Sequence, residues 1–299
     1  MYAAKVSERV YLLDTYALGV PRTVAAYLVK GPKPTLVDCG YASSFSAVLE
    51  GLSEAGVAPS EVRYVIPTHV HLDHAGAAGR LLREMPAAQV LAHERAVPHL
   101  VDPTRLLESA NRVFGPEIMR LYGDPEPIPS ERVTAVGEEA ALDLGDGLEA
   151  RILHTPGHAP HQVSVGLAAE GVAMTADAVG IVYPGFKSLI PTTPPPSFEP
   201  ELLVSSLEIL KRLGPKKLLT PHFGARDDVE WVLENTASKM RRWVGRIREL
   251  RDAGATLDGA AAEMEKEVLS EEGSALPGYA KVSVRASVMG ILLYLSKNP

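Results

Sequence analysis

The amino-acid sequence predicts an α/β protein, and three observations carry the prediction. Short β-type runs alternate with segments of helical period, as in "VAAYLVK", "PTLVDCG", the helical "SFSAVLEGLSEAG" and then "VRYVIP". The 299 residues are 46% hydrophobic and 22% charged, ample for a large core in one or two domains. Ligand-type side chains also collect where the β-type runs end, first in "PTHVHLDHAG" at residues 67–76.

Further along, "AGAAGRLLREM" reads as a helix whose start lies at His74, and "AQVLAH" as another strand. Between 103 and 136, helical "PTRLLESANRVFG" and a proline-rich stretch read as an insertion near the site. Strands resume at "LEARILHTPGH", "HQVSVGL" and "GVAMTADAV". "PTTPPPSFEP", residues 191–200, must be a loop because proline lacks the amide donor and fixes its own dihedral. "ELLVSSLEILKRLG" returns to helical period, "KKLLTPHFG" reads as the last strand, and the chain beyond about residue 226 reads as helical. The expected organisation is an α/β domain over 1–225 that carries the ligand-type clusters and a helical region over 226–299 that shapes that site or an interface.

Composition narrows the partners. Thirty Lys and Arg against 37 Asp and Glu leave a net charge of −7, so nucleic acid or an anionic membrane gains no overall attraction. The opening "MYAAKVSERVYLLDTY" lacks a basic start and an apolar stretch, and nowhere do eighteen apolar residues run together, so the expectation is a cytoplasmic chain. Cys39 is the single cysteine, which excludes an internal disulfide and any thiolate pair for a metal. The ligands must be histidine and carboxylate.

In an extended segment alternate side chains share a face, so His69, His71 and Asp73 can converge while His74 follows on the other side. Two adjacent metal centres can arise from such a loop if later strand ends supply more donors. They do: "HTPGHAPH" supplies His158, "MTADAVG" supplies Asp177 and "LTPHFG" supplies His222. Imidazole and carboxylate without thiolate suit zinc, iron or manganese.

Together, H-x-H-x-D-H at 69–74, "TPGH", "TADAVG" and "TPHFG" resemble the metallo-β-lactamase-fold hydrolase superfamily over roughly residues 5–225. The resemblance implies an αββα sandwich with the metal site at one edge of two facing sheets. It implies two divalent metal ions, with zinc expected and manganese or iron as alternatives. His69, His71 and His158 would hold one ion, Asp73, His74 and His222 the other, and Asp177 would bridge them. "LVDCG" resembles the family's strand-end "DTG" element, which makes Asp38 a supporting residue and places Cys39 where a hydroxyl is usual, as packing. The implied chemistry is attack by a hydroxide held between the ions, with Asp177 fixing their separation and Asp73 accepting a proton. Asp177 also separates the chain from antibiotic-hydrolysing members, which generally lack that carboxylate. The ligand set resembles glyoxalase II, so a small ester-like bond is expected, a thioester first. A phosphodiesterase or endoribonuclease and a mononuclear iron persulfide dioxygenase are the alternatives, since fold does not choose among them.

Substrate choice should lie outside the ligands. Tyr183, Lys187 and Phe223 are candidates for lining the pocket, and His161 and His154, which flank His158, for orienting ligands through hydrogen bonds. His93 and His99 carry no assignment. In the tail, Met240, Trp243, Val244, Ile247 and Leu250 follow helical spacing as an apolar stripe, opposite a basic face of Arg241, Arg242, Arg246, Arg248 and Arg251. Its layout resembles the small winged-helix-like appendage of some superfamily members. The expected partner is a small-molecule substrate, with nucleic acid disfavoured, no membrane, and a homodimer left open.

Overall fold

A computed structural model describes residues 1–298. Strands β1 (Ala3–Lys5), β2 (Val10–Asp14), β3 (Ala25–Val29) and β4 (Thr35–Val37) pair antiparallel in order. β5 (Tyr64–Ile66), β6 (Gln89–His93) and β7 (Val133–Val136) continue in parallel from β4 and complete a seven-stranded sheet. The second sheet has six strands: β8 (Glu139–Gly145), β9 (Leu148–His154), β10 (Val163–Leu167), β11 (Val172–Met174), β12 (Lys217–Thr220) and β13 (Gly224–Arg226). Only its β11–β12 pair is parallel. The helices are α1 (Phe45–Glu54), α2 (Leu72–Ala75), α3 (Ala78–Glu84), α4 (Val97–Val101), α5 (Thr104–Tyr122), α6 (Pro200–Arg212), α7 (Val229–Asp252), α8 (Leu257–Glu272) and α9 (Gly278–Lys297).

Several strands are apolar on both faces, because both faces are covered. Tyr27, Val29, Val37 and Ile66 point into a core between the sheets, where they meet Ile152, Val163, Val165, Val172 and Met174. Their neighbours Leu28, Leu36 and Val65 face the other way, against Val48 and Leu52 of α1 and Leu81 and Leu82 of α3. On the far side Ala173 and Leu218 face a cluster built from α6 to α9, including Leu207, Trp243, Met264 and Val288. The result is the four-layered αββα sandwich.

The structure departs from the sequence expectation in three places. The helix expected from His74 begins earlier and is divided, with Gly76 and Ala77 separating α2 from α3. The stretch before "LEARILHTPGH" contains β7 and β8, and β13 follows the strand expected to be last. All three lie at sheet edges, and β8 and β13 have no continuous buried run, so apolar periodicity had little to mark them. The expected helix near 104 is present as α5, with a non-helical break at Gly115.

The tail stripe is core: Met240, Trp243 and Ile247 are buried, and Val244 and Leu250 pack against the same cluster. On the basic face Arg242 pairs with Glu267 and Glu271, Arg246 with Glu249, and Arg251 with Asp252, so much of it is neutralised locally. The region is three helices, and among the described residues no strand follows β13 to form a wing. No helix among these residues is long and apolar enough to cross a membrane.

Helix α9 lies directly on the proline-rich loop. A Cβ on Gly290 would come within 1.9 Å of the Thr193 carbonyl oxygen. Gly290→Ala should therefore lower stability by about 1–3 kcal/mol, the usual range for overpacking. Gly245→Ala in α7, where an added Cβ meets nothing within 4 Å, should instead be neutral or stabilising by up to ~1 kcal/mol. Thermal denaturation of the two variants tests this contrast, and equal shifts would contradict it.

Candidate metal centre

The loop between β5 and α2 carries His69 and His71, and the short α2 carries Asp73 and His74. Asp38, just beyond β4, holds that loop in place: its Oδ1 accepts from the Thr68 amide and hydroxyl, both at 2.8 Å, and its Oδ2 accepts from His74 Nδ1 at 2.9 Å. Asp38 itself sits at φ 61°, a left-handed conformation that only its surroundings can maintain. Cys39 is fully buried, and burial together with the Asp38 charge pushes its thiol well above the usual range, so it packs and does not react.

His158 follows the turn after β9, and its Nδ1 donates to the Thr192 carbonyl at 3.0 Å. The Thr192 hydroxyl donates in turn to the carbonyls of Asp177 and Val179. One residue of the proline-rich loop thus positions two donors. Gly157 makes the turn itself, at φ +128° and with Leu203 of α6 so close that a Cβ would lie 2.3 Å from its amide nitrogen. His222 sits in the β12–β13 hairpin, which is tied across to the first sheet by Tyr27 Oη donating to the Thr220 carbonyl at 2.7 Å and by the Ala25 amide donating to Pro221.

These elements bring together all seven donors expected from the sequence. His69, His71 and His158 form one group able to hold a metal, Asp73, His74 and His222 another, and His69, His74 and Asp177 a third that joins them. His71 Nδ1 lies 2.9 Å from Nε2 of both His69 and His158. Asp177 reaches across: its Oδ2 is 3.3 Å from His158 Nε2 and 3.6 Å from His74 Nε2, and its Oδ1 is 3.4 Å from His222 Nε2. Such separations are close to the roughly 3.3 Å between donors on a tetrahedron with ~2.0 Å metal bonds.

Tautomers follow from the outer hydrogen bonds. A neutral His158 that donates from Nδ1 has its lone pair on Nε2, and the same holds for His74. Both lone pairs then point inward at other acceptors. His74 Nε2 and Asp177 Oδ1 are buried without a hydrogen-bond partner. The donor set fits a divalent cation, which would satisfy them together.

Burial depresses the pKa of His69 far below normal, with His74 and His71 adding to it, and brings that of His71 to about 3. Burial opposes charge on His74 and His222 as well, but Asp73, Asp38 and Asp177 outweigh it at His74, and Asp177 with Asp73 at His222, so both are raised. Asp177 is buried, yet His222, His158 and His74 hold its carboxyl well below the ordinary range.

The other candidates fall differently. Tyr183 is buried with its hydroxyl hydrogen-bonded to Ser283 of α9 at 2.8 Å, although Asp73 and Asp177 are near enough to raise its pKa further after burial. Lys187 is exposed, and its backbone amide donates to Glu272 of α8. Phe223 packs against the intersheet core because the β12–β13 hairpin turns it there. His161 stacks 6.4 Å from the His69 ring with its Nδ1 unpartnered, and burial brings its pKa to about 2, but it makes no hydrogen bond to a donor. His154 bonds Glu138 and the Pro160 carbonyl instead of a donor. Sequence reasoning missed Thr192, and also Tyr41 and Tyr122, which stack at 4.4 Å beside Asp73. Tyr41 stands three residues after Asp38, but nothing local marks Tyr122, which α5 delivers from the insertion.

A seven-residue histidine and carboxylate centre at the edge of an αββα sandwich defines a class of metal-binding hydrolase folds. The chain belongs to the metallo-β-lactamase superfamily: the sequence profile described as "Metallo-beta-lactamase superfamily" matches residues 19–222. It is 30% identical over 211 residues to "Metallo-beta-lactamase fold-containing protein ST1585" of Sulfurisphaera tokodaii, covering 68% of this chain and 74% of that one. Identity to the N-acyl homoserine lactonase of Bacillus thuringiensis is 26% over 178 residues, 58% of this chain and 59% of the lactonase. Among solved structures, the metallo-beta-lactamase family protein TTHA1429 from Thermus thermophilus matches in fold with a TM-score of 0.69 at 24% identity, over 97% of this chain and 93% of that one.

Two predictions follow from the geometry. Asp38→Asn would set an amide donor against either the Thr68 pair or His74 Nδ1–H, and should weaken metal binding about 10–100-fold; competition with a chelator measures it. Acid should release metal in steps. The raised pKa values of His74 and His222 mean that an ion at Asp73, His74 and His222 displaces protons, so its affinity falls as pH drops through those values. His71 takes up a proton only near pH 3, so an ion at His69, His71 and His158 persists to lower pH. Metal content after dialysis at successive pH values reads this, and loss of all metal in one step would contradict it.

Proposed function

We propose that the chain is a dinuclear metal-dependent hydrolase of a small ester-like bond, with a thioester as the leading substrate. The observation that carries this reading is Asp177, whose two oxygens face donors of both groups, Oδ1 toward His222 and Oδ2 toward His158 and His74. His69, His71 and His158 would hold one ion, Asp73, His74 and His222 the other, and zinc is the expected metal. When bound, two divalent ions acidify the water between them and polarise the scissile carbonyl.

The protein's own contribution is placement. Asp177 fixes the spacing of the two donor groups, and the Asp38 and Thr192 bonds fix the imidazole orientations. Asp73 is the most open of the carboxylates, 20% exposed against 6% for Asp177, so substrate would approach on its side and Asp73 is placed to accept the proton from water. Tyr41 and Tyr122 give that approach an aromatic wall. In the reaction the water oxygen forms the new bond to the acyl carbon, the C–S bond breaks, and the thiolate leaves and is protonated.

The lactonase relative supports an ester-like bond, since a lactone is a cyclic ester. The neutralised arginines of α7 give the phosphodiesterase reading little support. A mononuclear iron dioxygenase would leave the second donor group without a role.

Elemental analysis of the purified protein is the first test, followed by thioester, lactone and phosphodiester panels. Two zinc or manganese ions per chain with thioester cleavage are expected, whereas one iron per chain would overturn the reading. Asp177→Ala should reduce occupancy of both metals and lower turnover at least 10²-fold, the loss typical of a principal electrostatic group. Arg242→Glu combined with Arg246→Glu should leave cleavage of small substrates unchanged.

A further inference from the structure

Apart from the seven donors above, the described residues contain one more group able to hold a metal: His93, Glu138 and His154, with ligand atoms all within 4.8 Å of one another. The three come from different parts of the sandwich. His93 ends β6 in the first sheet, His154 ends β9 in the second, and Glu138 lies on the two-residue link by which β7 crosses to β8. Backbone bonds hold them together, since His93 pairs with Val136 in the β6–β7 ladder and the His154 amide donates to the Glu138 carbonyl at 2.8 Å.

The side chains are arranged as ligands are. Both imidazoles are buried, 2% and 8% exposed, and their rings stack with centroids 4.0 Å apart. His154 Nε2 lies 3.1 Å from the Pro160 carbonyl and donates to it, so the neutral ring carries its lone pair on Nδ1. That atom faces both Glu138 oxygens, at 3.1 and 3.2 Å. Acceptors facing one another need either an added proton or a cation. His93 makes a single long contact, from the Arg95 amide to Nδ1 at 3.2 Å, which coordination through either ring nitrogen would replace, and burial beside His154 lowers its pKa, which favours the neutral ring. A plain ion pair accounts for less: the Glu138 side chain is 87% exposed, and exposed pairs contribute little, yet two imidazoles are buried face to face behind it.

We propose that His93, Glu138 and His154 bind a third divalent ion of the zinc class, separate from the catalytic centre, that clips the two sheets together where the chain crosses between them. Two imidazoles and one carboxylate suit such an ion, and the exposed side leaves room for water to complete its coordination. His154 precedes His158 by four residues, so the ion would also brace the turn that carries a catalytic donor. The site does not depend on the hydrolase reading.

The test is equilibrium dialysis of the full chain against zinc, with bound metal counted per chain. Wild type should bind one equivalent more than either His93→Asn or Glu138→Gln. The same difference of one should persist in an Asp177→Ala background, which separates this site from the catalytic one whatever becomes of the latter. Glu138→Gln changes an exposed side chain and keeps the test open if His93→Asn folds poorly by circular dichroism. Equal metal content in wild type and Glu138→Gln overturns the proposal.

Discussion

A shortage of protons at one edge of the sandwich shapes the rest of the molecule. Seven ionisable side chains meet there, and the outer hydrogen bonds of His74 and His158 use the only N–H each neutral ring has, leaving lone pairs turned inward on carboxylate oxygens. Buried acceptors that face one another are costly unless a proton or a cation lies between them. Protonation gives only a partial answer, because burial disfavours charge on His69, His71 and His158 even as the carboxylates favour it on His74 and His222. The centre is therefore built around cations, and its split in proton affinity follows from where the carboxylates lie.

Holding that arrangement requires both sheets. The first sheet supplies Asp38 and the loop from His69 to His74, and the second supplies His158, Asp177 and His222 at the ends of β9, β11 and β12. Neither sheet alone carries a complete set of donors. Bonds between the sheets, Tyr27 to Thr220 and Ala25 to Pro221 among them, therefore set metal geometry as much as they set the fold. This division of donors between two layers also gives the closely filled, mainly valine, isoleucine and leucine core between the sheets a second role, because slippage of one layer would separate the groups.

Much of this could be read from the sequence because the donors stand at strand ends in short, dense motifs, where local pattern and chemistry coincide. Alternating period made the α/β class legible, since buried strands are apolar on both faces and the helices between them keep their period, whereas the αββα layering came only from the resemblance carried by the ligand motifs. What local pattern misses is contact between distant segments. Thr192 lies in a stretch whose prolines announce only a loop, and its pairing with His158 and Asp177 exists only once the chain has folded. Phe223 stands beside His222 in sequence, but the β12–β13 hairpin directs it into the core between the sheets. The edge strands β7, β8 and β13 escaped because edges bury little, and burial is what apolar periodicity records.

The C-terminal helices belong to this same problem of placement. Loop 183–193 runs beside the donors and is held from behind at several points. Lys239 of α7 is 6% exposed and bonds Ser188 and Glu271, Glu272 accepts from the Lys187 and Ser188 amides, and Ser287 of α9 donates to the Pro191 carbonyl. Burial lowers the pKa of Lys239, and the Glu271 carboxylate opposes that loss of charge, so the ammonium and its partner are worth more together than apart. Thr192 lies within the segment these bonds immobilise, and its carbonyl orients His158 while its hydroxyl holds Asp177. A helical region remote in sequence from every donor therefore fixes two of them through one loop, and its contacts with that loop constrain the metal centre directly.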